Sequence, residues 1–83
     1  MTYEVKFRLT HKSGKVITEN VIATAIEFGK REGLDAIKVL PEGKNRWKWF
    51  EIPNDYQMNT YYDNWSLTIA EATTGKNVYK VER

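Results

Sequence analysis

The sequence predicts an α+β domain: a mainly antiparallel sheet of five or six strands with one short helix packed on one face, in the order β-β-α-β-β-β-β. Three observations predict it. Residues 2–10 alternate strictly, with Tyr3, Val5, Phe7 and Leu9 set against Glu4, Lys6 and Arg8, which is the period of a half-buried strand. Two glycine-bearing turns, His11-Lys12-Ser13-Gly14 and Thr73-Thr74-Gly75-Lys76, join runs of strand-forming residues into hairpins. One segment, Thr24 to Gly33, carries helix signals at both ends.

Taken in order, the first strand turns at Gly14, and Lys15 to Ala23 returns as its hairpin partner, rich in Val and Ile. Thr24-Ala25-Ile26-Glu27 then matches a capping box, in which the Thr hydroxyl caps the third helical amide and the Glu reaches back. Gly33 supplies a C-terminal stop, so the expected helix runs over 25–32 and buries Ala25, Ile26, Phe28 and Gly29. A second reading starts the helix at Asn20, because Val21, Ile22, Ala25, Ile26 and Gly29 also share a helical face; the strand preference of Val-Ile-Ala-Thr argues against it. Asp35 to Leu40 reads as a third strand and Arg46 to Ile52 as a fourth, stopped by Pro53. In that fourth strand Trp47 and Trp49 point one way and Phe50 and Ile52 the other.

Residues 53–64 connect to the fifth strand. Asn54 followed by Gln57, with Met58, Tyr61, Tyr62 and Trp65 at helical spacing, fits a short helix; the poor helix propensity of Tyr, Asn and Thr fits a loop. Trp65 to Ala72 and Asn77 to Glu82 close the chain as a hairpin. The expected core is Val5, Phe7, Ile26, Phe28, Ile37, Val39, Leu67 and Ile69. The arrangement of a β-hairpin, a capped helix and a strand resembles that of many small accessory proteins of phages and mobile elements.

With 83 residues the chain makes one domain, 1–83, with a small core. It contains no cysteine, no apolar run of membrane-spanning length and no apolar leader. A cytoplasmic protein with no membrane partner is the expectation. The first fifty residues carry ten Lys or Arg and six acids, and the remainder three and five. A basic, aromatic stretch around Lys44–Lys48 therefore borders an acidic, aromatic one around Glu51–Asp63.

Catalysis finds little to work with. The single histidine, His11, sits in a turn with Ser13 too close to share a site with it. Zinc lacks ligands, and Glu51, Asp55 and Asp63 do not have the spacing of a calcium loop. Asp55 and Asp63 could act as paired carboxylates only if a fold brought them together. Thr74-Gly75-Lys76 lacks the upstream glycine of a phosphate loop. The expectation is a non-enzymatic protein with no cofactor and no metal.

Seven of the eleven aromatic residues fall between Trp47 and Trp65. Tyr and Trp give large contact area for few rotatable bonds, and Asn and Asp add adaptable hydrogen bonds. Asp55, Tyr56, Tyr61, Tyr62, Asp63 and Trp65 are therefore the expected protein-contact residues. The partner would be another protein, a nucleoprotein or a second copy of the chain, in the manner of a phage-type inhibitor that occludes a host protein. The alternative is nucleic-acid binding by Lys44, Arg46, Trp47, Lys48 and Trp49, with cations on phosphates and bases stacked on indoles. Strand alternation weakens it, since Arg46 and Lys48 would point away from the two indoles.

Overall fold

The computed structural model describes residues Met1–Arg83. Six strands and one helix follow in the order β1 (Tyr3–His11), β2 (Val16–Arg31), β3 (Leu34–Pro41), β4 (Lys48–Glu51), α1 (Asp55–Thr60), β5 (Tyr62–Glu71) and β6 (Asn77–Glu82). All six strands join one antiparallel sheet in the spatial order β4-β3-β2-β1-β5-β6. No helix is long and apolar enough to cross a membrane.

The helix expected over 25–32 is strand instead, and the one helix lies between β4 and β5, so the order is β-β-β-β-α-β-β. Ile26 and Phe28 alternate with Glu27 as in any strand, and the ladder to β3 sets Ile26 against Val39 and Phe28 against Ile37. Gly33, read as a helix stop, is the second residue of a two-residue hairpin turn. Glu32 and Gly33 both have positive φ, 52° and 83°, the conformation that matches the twist of the strands it joins.

β2 is sixteen residues long because it serves two partners in succession. Residues up to Ala23 pair with β1, and those from Ala23 onward pair with β3. The register slips between Ala23 and Ala25, leaving Thr24 as a bulge, and bulges bend a strand and increase its twist. The Thr24 hydroxyl donates to the Leu40 carbonyl at 3.4 Å beside this bend. Beyond it the sheet folds over itself. Phe50 of β4 stacks on Phe7 of β1 at 5.4 Å, and Phe28 of β2 meets Tyr79 of β6 at 5.1 Å, though neither pair lies on neighbouring strands.

Between the folded halves lies an apolar core of Val5, Phe7, Leu9, Ala23, Ile37, Val39, Phe50, Trp65, Leu67 and Ile69, with no buried polar or charged side chain in the chain. Of the expected core, Ile26 is only half-buried and Phe28 is 56% exposed. A helix over 25–32 would bury both on one face; on the strand they line an apolar groove with Tyr3 and Tyr79. Leu9, Ala23, Phe50 and Trp65, outside the expected core, belong to it instead.

Helix α1 has six residues and exists through its cap. The Asn54 side chain accepts from the Gln57 amide at 2.8 Å, and the Gln57 side chain accepts from the Asn54 amide at 3.1 Å, a reciprocal capping box. Met58 anchors it to the core. The segment 53–64, expected as a short helix or a loop before a strand starting at Trp65, is therefore a capped six-residue helix followed after Tyr61 by β5, which already begins at Tyr62.

Candidate functional site

The β1–β5 register places His11 opposite Tyr62, and a line of rings grows outward from that pair. His11 lies 4.8 Å from Tyr62, Tyr62 is 6.4 Å from Tyr61, and Tyr61 is 6.3 Å from Tyr56 on α1. The last two contacts are edge-on, with interplanar angles of 67° and 81°, an arrangement aromatic quadrupoles favour. Tyr56 is 66% exposed and Tyr61 53%, while Tyr62 is half-buried. The backbone pins the ladder: the Lys12 amide donates to the Tyr61 carbonyl at 2.9 Å and the Tyr61 amide to the Gln57 carbonyl at 2.8 Å.

Of the six expected contact residues, five gather at this end or beside it. Asp55 is exposed in the first turn of α1. Asp63 is exposed as well, but Lys12 lies 3.7 Å away, so the rim is less acidic than the local sequence implied. Trp65 does not join them. It is buried on the inner face of β5, 6.3 Å from Phe7, because strand alternation turns it inward with Leu67 and Ile69. His11, the last residue of β1, and Lys12, the first of the turn after it, also belong here, and only the pairing of β1 with β5 reveals them.

The tryptophan strand makes a second surface. Trp49 stands opposite Lys38 on the outer face of the β3–β4 ladder. Lys38 Nζ lies 4.6 Å from the Trp47 ring centroid and 5.6 Å from that of Trp49, and the Arg31 guanidinium carbon is 5.5 Å from Trp49. Lys38 also pairs with Glu27 at 3.1 Å. The cations on the indoles are thus Lys38 and Arg31 from β3 and β2. Lys48 turns to the other face, where it pairs with Glu19 at 2.8 Å and lies 5.7 Å from the Phe50 ring. Lys44 and Arg46 are exposed in the loop before β4.

An open cleft of about 580 Å³ lies between α1, the start of β3, the end of β4 and β6. Ile52, Met58, Trp65 and Val81 form its floor, and Asp35, Asp55 and Arg83 its polar wall. Nowhere do three or more His, Cys, Asp or Glu side chains gather as a metal site would need. The Thr74-Gly75-Lys76 turn uses its polar atoms on itself: the Thr74 hydroxyl donates to Glu71 at 3.3 Å and accepts from the Lys76 amide at 3.2 Å.

Neither protein-family models, nor characterised proteins, nor solved structures give a significant match to this chain.

Proposed function

We propose that the protein is a small non-catalytic binding module whose contact surface is the tyrosine ladder, Tyr56-Tyr61-Tyr62, with Asp55 and the Lys12–Asp63 pair at its rim. The observation that carries this reading is the exposure of two tyrosines, Tyr56 and Tyr61, whose rings meet edge-on at 6.3 Å beside a backbone tied to α1 and to Lys12. Tyr gives large contact area for only two rotatable side-chain bonds, and it is among the residues that dominate interface energetics. The partner on this reading is a protein surface that offers apolar area together with a donor or cation for Asp55. Occlusion of that surface, as by a phage-type inhibitor, is the mode of action it suits.

The alternative, nucleic-acid binding by the basic strand, has less support in the geometry. Lys48 is engaged with Glu19 and Lys38, above the indoles, with Glu27, leaving Arg31 beside Trp49 and the loop residues Lys44 and Arg46 as the cations of this surface without such partners.

The test compares wild type with the double substitution Tyr56→Ala, Tyr61→Ala in capture from a nuclease-treated lysate of the source cells. Both rings are exposed, so circular dichroism and melting should change little. Binding should weaken by about 2 kcal/mol or more, roughly thirtyfold. A protein captured equally by both forms places the contact elsewhere. Capture that disappears with nuclease, and that weakens steeply with salt, favours the basic strand instead.

A further inference from the structure

We infer that the free edge of β6 is a self-pairing surface, on which a second copy of the chain adds its own β6 antiparallel about a two-fold axis at Val81. The sheet order ends in β4 and β6; β4 has four residues and β6 six. Trp65 and Arg83 exchange both backbone hydrogen bonds at 2.8 Å. In an antiparallel ladder such pairs alternate, so Tyr79 and Val81 also bond toward β5, and the amides and carbonyls of Lys80 and Glu82 face outward.

Charges on an edge strand ordinarily guard it against pairing. Here they oppose some registers and favour one. A two-fold axis at Lys80 would set that lysine against its own copy. A two-fold axis at Tyr79 would have to pair through the irregularity at Val78, the residue left over where Ile69 pairs with Tyr79 and Ala70 with Asn77. With the axis at Val81 every cross-strand pair is complementary. Lys80 stands opposite the partner's Glu82, with outward backbone groups on both. Tyr79 stands opposite the partner's Arg83, placing a cation beside a ring, and Val81 meets the partner's Val81. In the free chain Lys80 and Glu82 already lie 3.5 Å apart on one face, more than half exposed. Beside the edge, Phe28 and Val78 expose more than half their surface and join Tyr3, Ile26 and Tyr79 in an all-apolar groove. A strand pairing of this kind is isologous and closes as a dimer.

Sedimentation velocity over rising concentration tests it, with circular dichroism to confirm that each variant is folded. Wild type should dimerise reversibly. Lys80→Glu alone opposes two acids across the axis, and Glu82→Lys alone opposes two lysines. Each should raise the dissociation constant at least about tenfold. Mixing the two single variants should restore the dimer, because each then faces its opposite, and this readout is blind to the Lys80–Glu82 contact within one chain. A wild type that stays monomeric to about 1 mM, single variants that dimerise like wild type, or a mixture that remains monomeric would each overturn the inference. None of these outcomes bears on the tyrosine ladder, which lies on other residues.

Discussion

Phe7 lies between two other rings, Phe50 at 5.4 Å and Trp65 at 6.3 Å, and is 5% exposed. It joins the two halves of the folded sheet, since Phe50 belongs to β4 and Trp65 to β5. Phe7→Ala should therefore cost about 3–5 kcal/mol in denaturant-induced unfolding. A cost below about 1 kcal/mol would mean that the halves do not close over this ring. Lys38 is the corresponding residue on the outer face. Its stem lies along the sheet and its ammonium sits over Trp47 and Trp49 while pairing with Glu27. Glu27 is well exposed, so the ion pair contributes little, and the indoles account for most of the effect. Lys38→Met should lower stability by about 1 kcal/mol. Glu27→Gln should cost less than that, and the comparison separates the two contributions.

At the scale of elements, α1 and the β2–β3 turn depend on local geometry in opposite ways. Helix α1 is too short to persist without its cap, so Asn54→Ala should cost about 1 kcal/mol and loosen Tyr56 and Tyr61 together, seen as faster amide exchange from Met58 to Tyr61. The β2–β3 turn holds Glu32 at a φ of 52°, where asparagine is more at ease than glutamate. Glu32→Asn, which creates the favoured Asn-Gly pair, should raise stability by about 0.5 kcal/mol in thermal unfolding. These two elements also show why one part of the sequence was legible and another was not. Asn54 and Gln57 satisfy each other within one turn, so the motif and the structure coincide. Thr24 and Glu27 have the same spacing but no such outcome, because Leu34–Pro41 offers their segment a ladder through a two-residue turn. The strand alternation of Ile26, Glu27 and Phe28 was present in the sequence, and Glu32-Gly33 was a turn signal. What outweighed the capping pattern was the tertiary partner, which no local signal announces.

The molecule as a whole rests on the pairing of β1 with β5, which sets Phe7 against Leu67 and His11 against Tyr62. Pairing from Tyr3 to Thr10 completes the core, and a one-residue slip between Thr10 and His11, which leaves Asp63 over, brings Tyr62 opposite His11 and begins the tyrosine ladder. This pairing explains why Tyr56, Tyr61 and Tyr62 could be singled out from composition while Lys12 and His11 could not. It also explains why Trp65, grouped with them by sequence proximity, turns into the core: the ladder fixes which of its faces is inward. β1 to β4 form a meander of sequential antiparallel pairs, and β5 and β6 a separate hairpin. Each unit can form locally, but docking one on the other closes a loop of about sixty residues. Sheets dominated by such distant pairings fold in milliseconds to seconds, far slower than helical proteins of equal size. Refolding by dilution from denaturant, followed through the burial of Trp65, should therefore show its main phase in that range. Leu67→Ala, on the docking seam, should slow that phase if the β5–β6 hairpin is already engaged in the transition state, and should chiefly speed unfolding if it docks later. Refolding complete within microseconds would contradict a rate-limiting union of β1 with β5, and with it the view that core and ladder are formed in one step.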